Sequence, residues 1–336
     1  LPFIPSILPY CSLSIVGLEK NTGKTVCLNY VLSRLNQLQI PVTVTSIGVD
    51  GEQTDSVYAT AKPEITLYEG MQFVTSQQHY DRRKLVSRIL AVDERRTALG
   101  QLVTAEVLCR GKVLLSGAAT TSLLRQQIAD SIQRGVNLTV VDGALSRLSL
   151  ASPAVTEAMI LATGAAVSPS LPQLISKTRF LYRLIQLPEV EATRQHLLAD
   201  IDNGLWEVTD EGECFDLGIP SVFALGHDTQ LAFQHSNTLY VAGAVSDRLL
   251  QYLSSHRNIR NITLVVKDFS KLFVTPAVVA EFTRRGGQLR VVQRSRLVAV
   301  CLNPTSPQGY RLDSATACQA LADALQTPVY DVMNIK

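Results

Sequence analysis

The segment Gly17-Leu18-Glu19-Lys20-Asn21-Thr22-Gly23-Lys24-Thr25 concentrates the residue types that hold phosphate groups. A glycine-rich loop that opens a helix turns successive backbone N–H groups toward one point. The positive end of the helix dipole adds to that field. In this pattern Gly23 allows close backbone approach, Lys24 reaches the β- and γ-phosphates, and Thr25 offers a hydroxyl to Mg²⁺. Gly17 opens the loop, and the backbone amides of Lys20, Asn21 and Thr22 join the expected phosphate contacts. The Lys20 side chain either adds positive charge or is a solvated loop lysine. The common spacing places four residues between the two glycines, whereas Leu18 to Thr22 make five, so the loop is one residue longer.

Two carboxylates are candidates for the metal. Asp50 follows an apolar run (VTSIGVD) and Asp142 ends a later one (LTVVD). In an open α/β sheet, ligands bind at the carboxyl ends of the strands. Mg²⁺ takes one or two carboxylates beside the phosphates, directly or through water. Thr25, Asp50 and Asp142 are therefore the expected metal residues. Lys24, as an electrostatic clamp, and Asp50 are the expected catalytic ones. Glu52 and Asp55 are weaker candidates. Asn303 follows the apolar run LVAVCL. Some P-loop proteins read adenine through an Asn after such a strand, and Asn303 is the candidate for that contact.

The flanking pattern places the loop. Ser12–Val16 is a short apolar run, and Leu28, Val31, Leu32 and Leu35 lie on one face of a helix expected over Thr25–Leu38. Strand, loop and helix in that order make the first βα unit of an α/β fold. Further strands are expected at 42–47, 66–75 (with a turn), 97–108, 112–115, 138–141 and 165–168. Helices are expected at 81–91, 120–134, 154–162 and 173–187. Most of these strands carry little alternation, as suits a parallel sheet covered on both faces. Past a polar stretch over 188–219, with a hairpin in WEVTDEGECFDL, alternation resumes. Strands SVFAL, LYVAGAV, ITLVV, QLRVV, LVAVCL and PVYDV are interleaved with helices from 246, near 277–284 and over 314–325. The expected architecture is a P-loop NTPase domain with a mostly parallel sheet over 1–190, followed by a second α/β domain over 191–336. In the second part, Ser246 or Asp247 is a helix N-cap. Lys267, Asp268 and Lys271 form either a turn or a second polar site. Trp206 is either a partner-facing anchor or part of a small core.

Composition narrows the function classes. The chain has 336 residues, 46% of them hydrophobic and 18% charged, too apolar for disorder to be its main state. Lys plus Arg number 31 and Asp plus Glu 29, a net charge of +2 that gives no footprint for nucleic acid or an anionic membrane. The six cysteines show no Cys-x-x-Cys spacing, and the five histidines no i,i+4 pair. That points away from a zinc or histidine-built metal site and toward a reducing, cytoplasmic setting. The longest charge-free stretch, 158–176, is interrupted by Gly164, Pro169 and Pro172, so no membrane span is expected. The first ten residues are apolar but carry three prolines and no basic flank, unlike a signal peptide. A first residue of Leu suggests that the natural start lies upstream.

The long loop, with Asp142-Gly143-Ala144, resembles the dethiobiotin synthetase-like branch of P-loop proteins over about residues 12–187. That branch continues with two glycines where Leu145 and Ser146 stand, and has a substrate lysine where SIGVDGEQTD has none. A closer resemblance is to the P-loop subunit of lysine 5,6-aminomutase reactivase, carried by SIVGLEKNTGKT, TSIGVDGE, VVDGALSR, LYVAGAVSDRLL, LVVKDFSKLF and LNPTSPQGY. It spans nearly the whole chain. It implies an ATP- and Mg²⁺-dependent accessory protein in lysine degradation, acting with a second reactivase subunit on a cobalamin-dependent aminomutase. It also implies slow intrinsic ATP turnover, and a homodimer is compatible with it. The alternative is a dethiobiotin synthetase-like ATP-dependent ligase or small-molecule kinase.

Overall fold

The computed structural model describes residues 2–47, 64–97, 99–144, 152, 153, 155–224 and 233–335. Asp50, Glu52 and Asp55 lie outside the described residues, as do Leu145 and Ser146. The chain forms two compact units, Leu1–Arg179 with Arg296–Lys336, and Phe180–Ser295.

The first unit starts with β1 (Ser12–Gly17), α1 (Lys24–Gln37), β2 (Val42–Ser46), β3 (Ile65–Leu67), β4 (Gln72–Ser76) and α2 (Gln77–Asp81). It continues with β5 (Lys84–Thr97), β6 (Gly100–Val113), α3 (Thr121–Gln133), β7 (Leu138–Ala144), β8 (Ala158–Gly164) and the part of α4 (Leu171–Ile185) up to Arg179, where the first unit's opening segment ends. Among the described residues these strands, joined by β16 (Arg296–Asn303) and β17 (Val329–Tyr330) from the chain's end, form one sheet. Its order is β17-β16-β8-β1-β7-β2-β4-β6-β3, with β5 on β6. Seven neighbours, β17 through β4, run parallel, and the β3, β4 and β5 pairings with β6 are antiparallel. This is an α/β unit with a mixed, largely parallel sheet, consistent with a P-loop NTPase-like fold.

β1 is buried along its whole length because it sits between β7 and β8. Leu13 and Ile15 face the same side as Val42, Val44, Leu138, Val140 and Ile160, and α1 covers that face with Leu28, Val31, Leu32 and Leu35. Each of those four helix side chains is fully buried, which stabilises by about 1.5–3 kcal/mol apiece. Val141 points the other way, into a cluster with Leu124 and Ile128 of α3. The apolar start of the chain joins the main core through Phe3, Ile4 and Ile7.

The second unit holds α5 (Ala192–Ala199), β9 (Leu205–Val208), β10 (Cys214–Asp216), β11 (Thr238–Val241), β12 (Val245–Ser246), α6 (Asp247–Ser254), β13 (Thr263–Val266), β14 (Leu272–Phe273), α7 (Pro276–Arg284) and β15 (Gln288–Val291). Its main sheet has the order β10-β9-β11-β13-β15, with β11, β13 and β15 parallel. Trp206 packs against this unit's core, and its indole N–H donates to the Asn203 carbonyl at 2.9 Å, so it belongs to a small core. Asp268 accepts from Ser270 N at 2.8 Å, while Lys267 reaches Asp202 at 2.5 Å and the Ala199 carbonyl at 3.2 Å. The Asp268 bond closes a local turn, whereas Lys267 bridges to residues more than sixty positions earlier in the chain. Ser246 is the N-cap of α6 but makes no side-chain cap bond; Asp247 instead accepts from Thr275 N at 2.7 Å.

The chain then returns to the first unit with β16 (Arg296–Asn303), α8 (Ser314–Leu325) and β17 (Val329–Tyr330). The division into 1–190 and 191–336 is thus corrected: the second unit is an insertion. The reason is β16, an apolar strand that pairs with β8 from Arg296↔Ala158 to Asn303↔Gly164. Four local expectations are also corrected. Residues 81–91 lie mostly in β5 instead of a helix, 158–162 of the expected helix lie in β8, and 165–168 form no strand. Val222–Ala224, expected in a strand, form a 3₁₀ turn. Among the described residues, no helix is long and apolar enough to cross a membrane.

The six cysteines are all free thiols. Cys27 of α1 and Cys301 of β16 are both buried, with their Sγ atoms 3.6 Å apart. The Cys27 thiol beside it, together with burial, holds the Cys301 thiol well above its ordinary pKa. At pH 8 a brief pulse of an alkylating reagent should modify exposed Cys109 and spare Cys27 and Cys301: burial shields both from the reagent, and Cys301 is also held as the unreactive thiol. Peptide mass spectrometry reads the sites; labelling of Cys301 as fast as Cys109 would contradict this packing.

Candidate phosphate-binding site

β1 delivers the loop to the sheet's carboxyl end, and α1 carries it away. Leu18 N donates to the Ala162 carbonyl of β8 at 2.8 Å, which fixes the loop's first residue. A Cβ on Gly17 would lie 2.4 Å from Thr22 Oγ1 and 2.8 Å from Lys24 Cγ. The stem of Lys24 therefore folds back across the end of β1, where only glycine leaves room. Thr22 is buried and donates its hydroxyl to the Glu19 carbonyl at 2.9 Å, closing the loop on itself. Glu19 in turn meets Lys177 of α4 at 3.0 Å, and Lys177 also donates to the Val167 carbonyl at 3.2 Å. The Glu19–Lys177 pair is half exposed, so it contributes no more than about 1 kcal/mol.

The turn into α1 uses left-handed backbone. Asn21 has φ +61° and Gly23 φ +88°. Gly23 is the N-cap, with no side chain to satisfy the helix's first donors, and no acidic residue occupies the first turn. The first helical bond runs from Cys27 N to the Gly23 carbonyl at 2.9 Å. The N–H groups of Lys24, Thr25 and Val26 precede it, and such groups at a helix start are donors for an anion.

The register places the acid. Asp142 of β7 pairs with Ile15 on one side and with Ser46 on the other. Alternation along β7 puts it in the row of Leu138 and Val140, the row that faces α1. It is half-buried, near the strand end where Gly143 and Ala144 pair with Val16 and Gly17. Thr25 is the second residue of α1 and half-buried, and Lys20 is exposed. Gly17, Lys20, Asn21, Thr22, Gly23, Lys24, Thr25 and Asp142 thus share one end of the sheet. Asp50 lies outside the described residues, although β2 runs beside β7 and heads toward the same end.

Asn303 ends β16 against the loop. Its Nδ2 donates to the Asn21 carbonyl at 3.4 Å, and its Oδ1 accepts from Thr305 N at 3.2 Å. A Cβ on Gly23 would lie 2.6 Å from Asn303 Cβ, and one on Gly164 would lie 2.1 Å from the Asn303 carbonyl oxygen. Sequence reasoning missed Glu19, Lys177 and Gly164 as supports of the loop. The one available signal was Gly164, a glycine directly after a buried apolar run. The residues present fit a nucleotide with Mg²⁺. The donors at the start of α1 and the Lys24 stem over Gly17 suit phosphate, and Thr25 and Asp142 are oxygen donors of the kind Mg²⁺ takes.

No protein-family model matches the chain, and no curated protein matches it. Among solved structures, the chain is similar to pNOB8 ParA bound to nonspecific DNA, at 9% identity and a TM-score of 0.26. The match covers 61% of this chain and 64% of that one, so the chain spans less than two thirds of that protein's length. A likeness this distant bears on no residue, ligand or partner.

Gly23 gives a stability test with an internal control. Gly70 also has a positive φ, +79°, but nothing lies within 4 Å of a Cβ there. Gly23→Ala should destabilise more than Gly70→Ala, by about 1–3 kcal/mol, because the backbone cost is shared and only Gly23 meets Asn303. Urea unfolding midpoints read the difference; equal losses would contradict the close contact.

Proposed function

We propose that this chain binds ATP with Mg²⁺ through the Gly17–Thr25 loop. We further propose that it acts as a nucleotide-dependent accessory protein, reactivating a cobalamin-dependent aminomutase with a second subunit. The observation that carries the nucleotide reading is the stem of Lys24 folded over Gly17 where the glycine-capped α1 begins. Support for the target comes from the segments that resemble the reactivase P-loop subunit on both sides of the inserted unit. The missing lysine in SIGVDGEQTD weighs against a self-contained ligase.

The residues divide the work. Backbone N–H groups from Lys20 to Thr25 would hold the phosphate oxygens, with the Lys24 ammonium as the clamp. Thr25, Asp142 and Asp50 would hold Mg²⁺, which when bound neutralises charge on the β- and γ-phosphates. Asn303, the candidate for reading adenine, donates its amide to the Asn21 carbonyl of the loop. Hydrolysis is proposed to be slow until the partner engages. For the nucleotide to act as a switch, the ATP- and ADP-bound states must differ in affinity for the partner or the mutase; equal affinity shifts nothing.

Lys24→Ala should weaken ATP binding by about 10–100-fold, the range for losing a charge-assisted hydrogen bond, and leave the urea midpoint within error. Asp142→Asn should lower Mg²⁺-dependent ATP binding while nearly sparing Mg²⁺-free binding. Calorimetry reads both, and unchanged affinity in Lys24→Ala removes the phosphate-loop reading. The target is tested by recovery of activity from an inactivated cobalamin-dependent aminomutase given free cobalamin, ATP, Mg²⁺ and the partner subunit. Recovery should require this chain, and equal recovery without it overturns the assignment.

A further inference from the structure

Asn303 lies 282 residues from Asn21 in sequence, yet its amide meets the phosphate loop from the far side of the second unit's insertion. Three contacts define its geometry. The Oδ1 bond from Thr305 N at 3.2 Å sets which way the amide faces, so the NH₂ group is the end presented to the loop. That NH₂ donates to the carbonyl of Asn21, whose φ of +61° is a left-handed conformation that costs a non-glycine residue energy. The Asn303 Cβ lies against Gly23, the N-cap of α1. The backbone of Asn303 is anchored in the sheet by its carbonyl, which accepts from Ala165 N at 2.9 Å.

Resting on the nucleotide reading above, we propose that Asn303 is a positioning residue for the phosphate loop rather than a reader of the base. It holds the Asn21 carbonyl and abuts Gly23, so the strained turn keeps the N–H groups at the start of α1 preset for phosphate. Preset donors need no reorganisation when the charge arrives, and that lowers the cost of binding. A side chain that reads adenine by hydrogen bonds discriminates between purines. A side chain that braces the loop changes affinity for every ligand that shares the phosphates.

The test is Asn303→Ala, which keeps the Cβ against Gly23 and removes only the amide. ATP, GTP and inorganic tripolyphosphate, each with Mg²⁺, are titrated into the full chain by calorimetry. Backbone amide exchange at Asn21–Gly23 is measured in the ligand-free protein. The expected result is an affinity loss of about tenfold, of equal size for every probe that binds the wild-type chain, since one neutral hydrogen bond is removed. Exchange at Asn21–Gly23 should quicken while the thermal midpoint moves little. A loss confined to ATP, with GTP and tripolyphosphate unchanged, would overturn the proposal in favour of base reading. Unchanged binding of all three would overturn it outright. Failure of the wild-type chain to bind any probe is a different result and removes the nucleotide reading itself.

Discussion

The side chain of Lys24 can lie across the end of β1 only because residue 17 has none. A Cβ there would sit 2.4 Å from the Thr22 hydroxyl and 2.8 Å from the lysine stem. That single allowance lets the chain leave the middle of the sheet, turn through five residues and enter a helix with its cationic side chain folded back over the turn. Everything that fixes the site follows from where β1 sits. Flanked by β7 and β8, it places Gly17 beside Ala144 on one side and Ala162 on the other. Asp142 arrives at the same end because it shares the register of Ile15.

The loop itself is held by neighbours on several elements. Thr22 closes it internally through the Glu19 carbonyl. Leu18 is tied to β8 through the Ala162 carbonyl, and Asn303 of β16 meets Asn21 and Gly23. Asn21, a non-glycine residue in left-handed backbone, carries local strain of a kind that persists where the surroundings over-determine it, while Gly23 adopts the same region without that cost. The inserted second unit has its own core and sheet, so the first unit needs residues 296–336 to complete the sheet that frames the loop. A chain cut after the first unit's opening segment would lack both β16 and the Asn303 contact.

The part of the fold nearest the chemistry was legible in the sequence. Apolar runs of four to six residues ending in Gly17 and Asp142 read as buried strands, and Leu28, Val31, Leu32 and Leu35 read as a helix face; all occupy those elements. The errors have physical causes. In β5 the apolar residues Leu85, Val86, Ile89 and Leu90 recur at helical spacing, but they lie on a strand that shifts register against β6 at Lys84/Val86, Val86/Ser87 and Ile89/Ala91, and Val86, Ile89 and Leu90 are exposed, so that spacing marks no buried face. Each bulge breaks the period of two. In β8 the good helix formers Ala158, Met159 and Leu161 are overridden by a fully buried place between β1 and β16. The return of β16 is a pairing across the inserted unit, and local periodicity carries no information about partners. For the same reason Asn303 was visible as an Asn after a strand, while its contact with Asn21 was not.

The donors between Lys20 and Val26 are proposed to face a bound nucleotide's phosphates. Hydrogen–deuterium exchange of these backbone amides, with and without ATP and Mg²⁺, measures it at the atoms concerned. Marked slowing is expected across Lys20–Val26 on adding ATP and Mg²⁺, with the last turn of α1 around Arg34–Gln37 unchanged. Saturating nucleotide that protects other segments and leaves Lys20–Val26 exchanging at the ligand-free rate would contradict it.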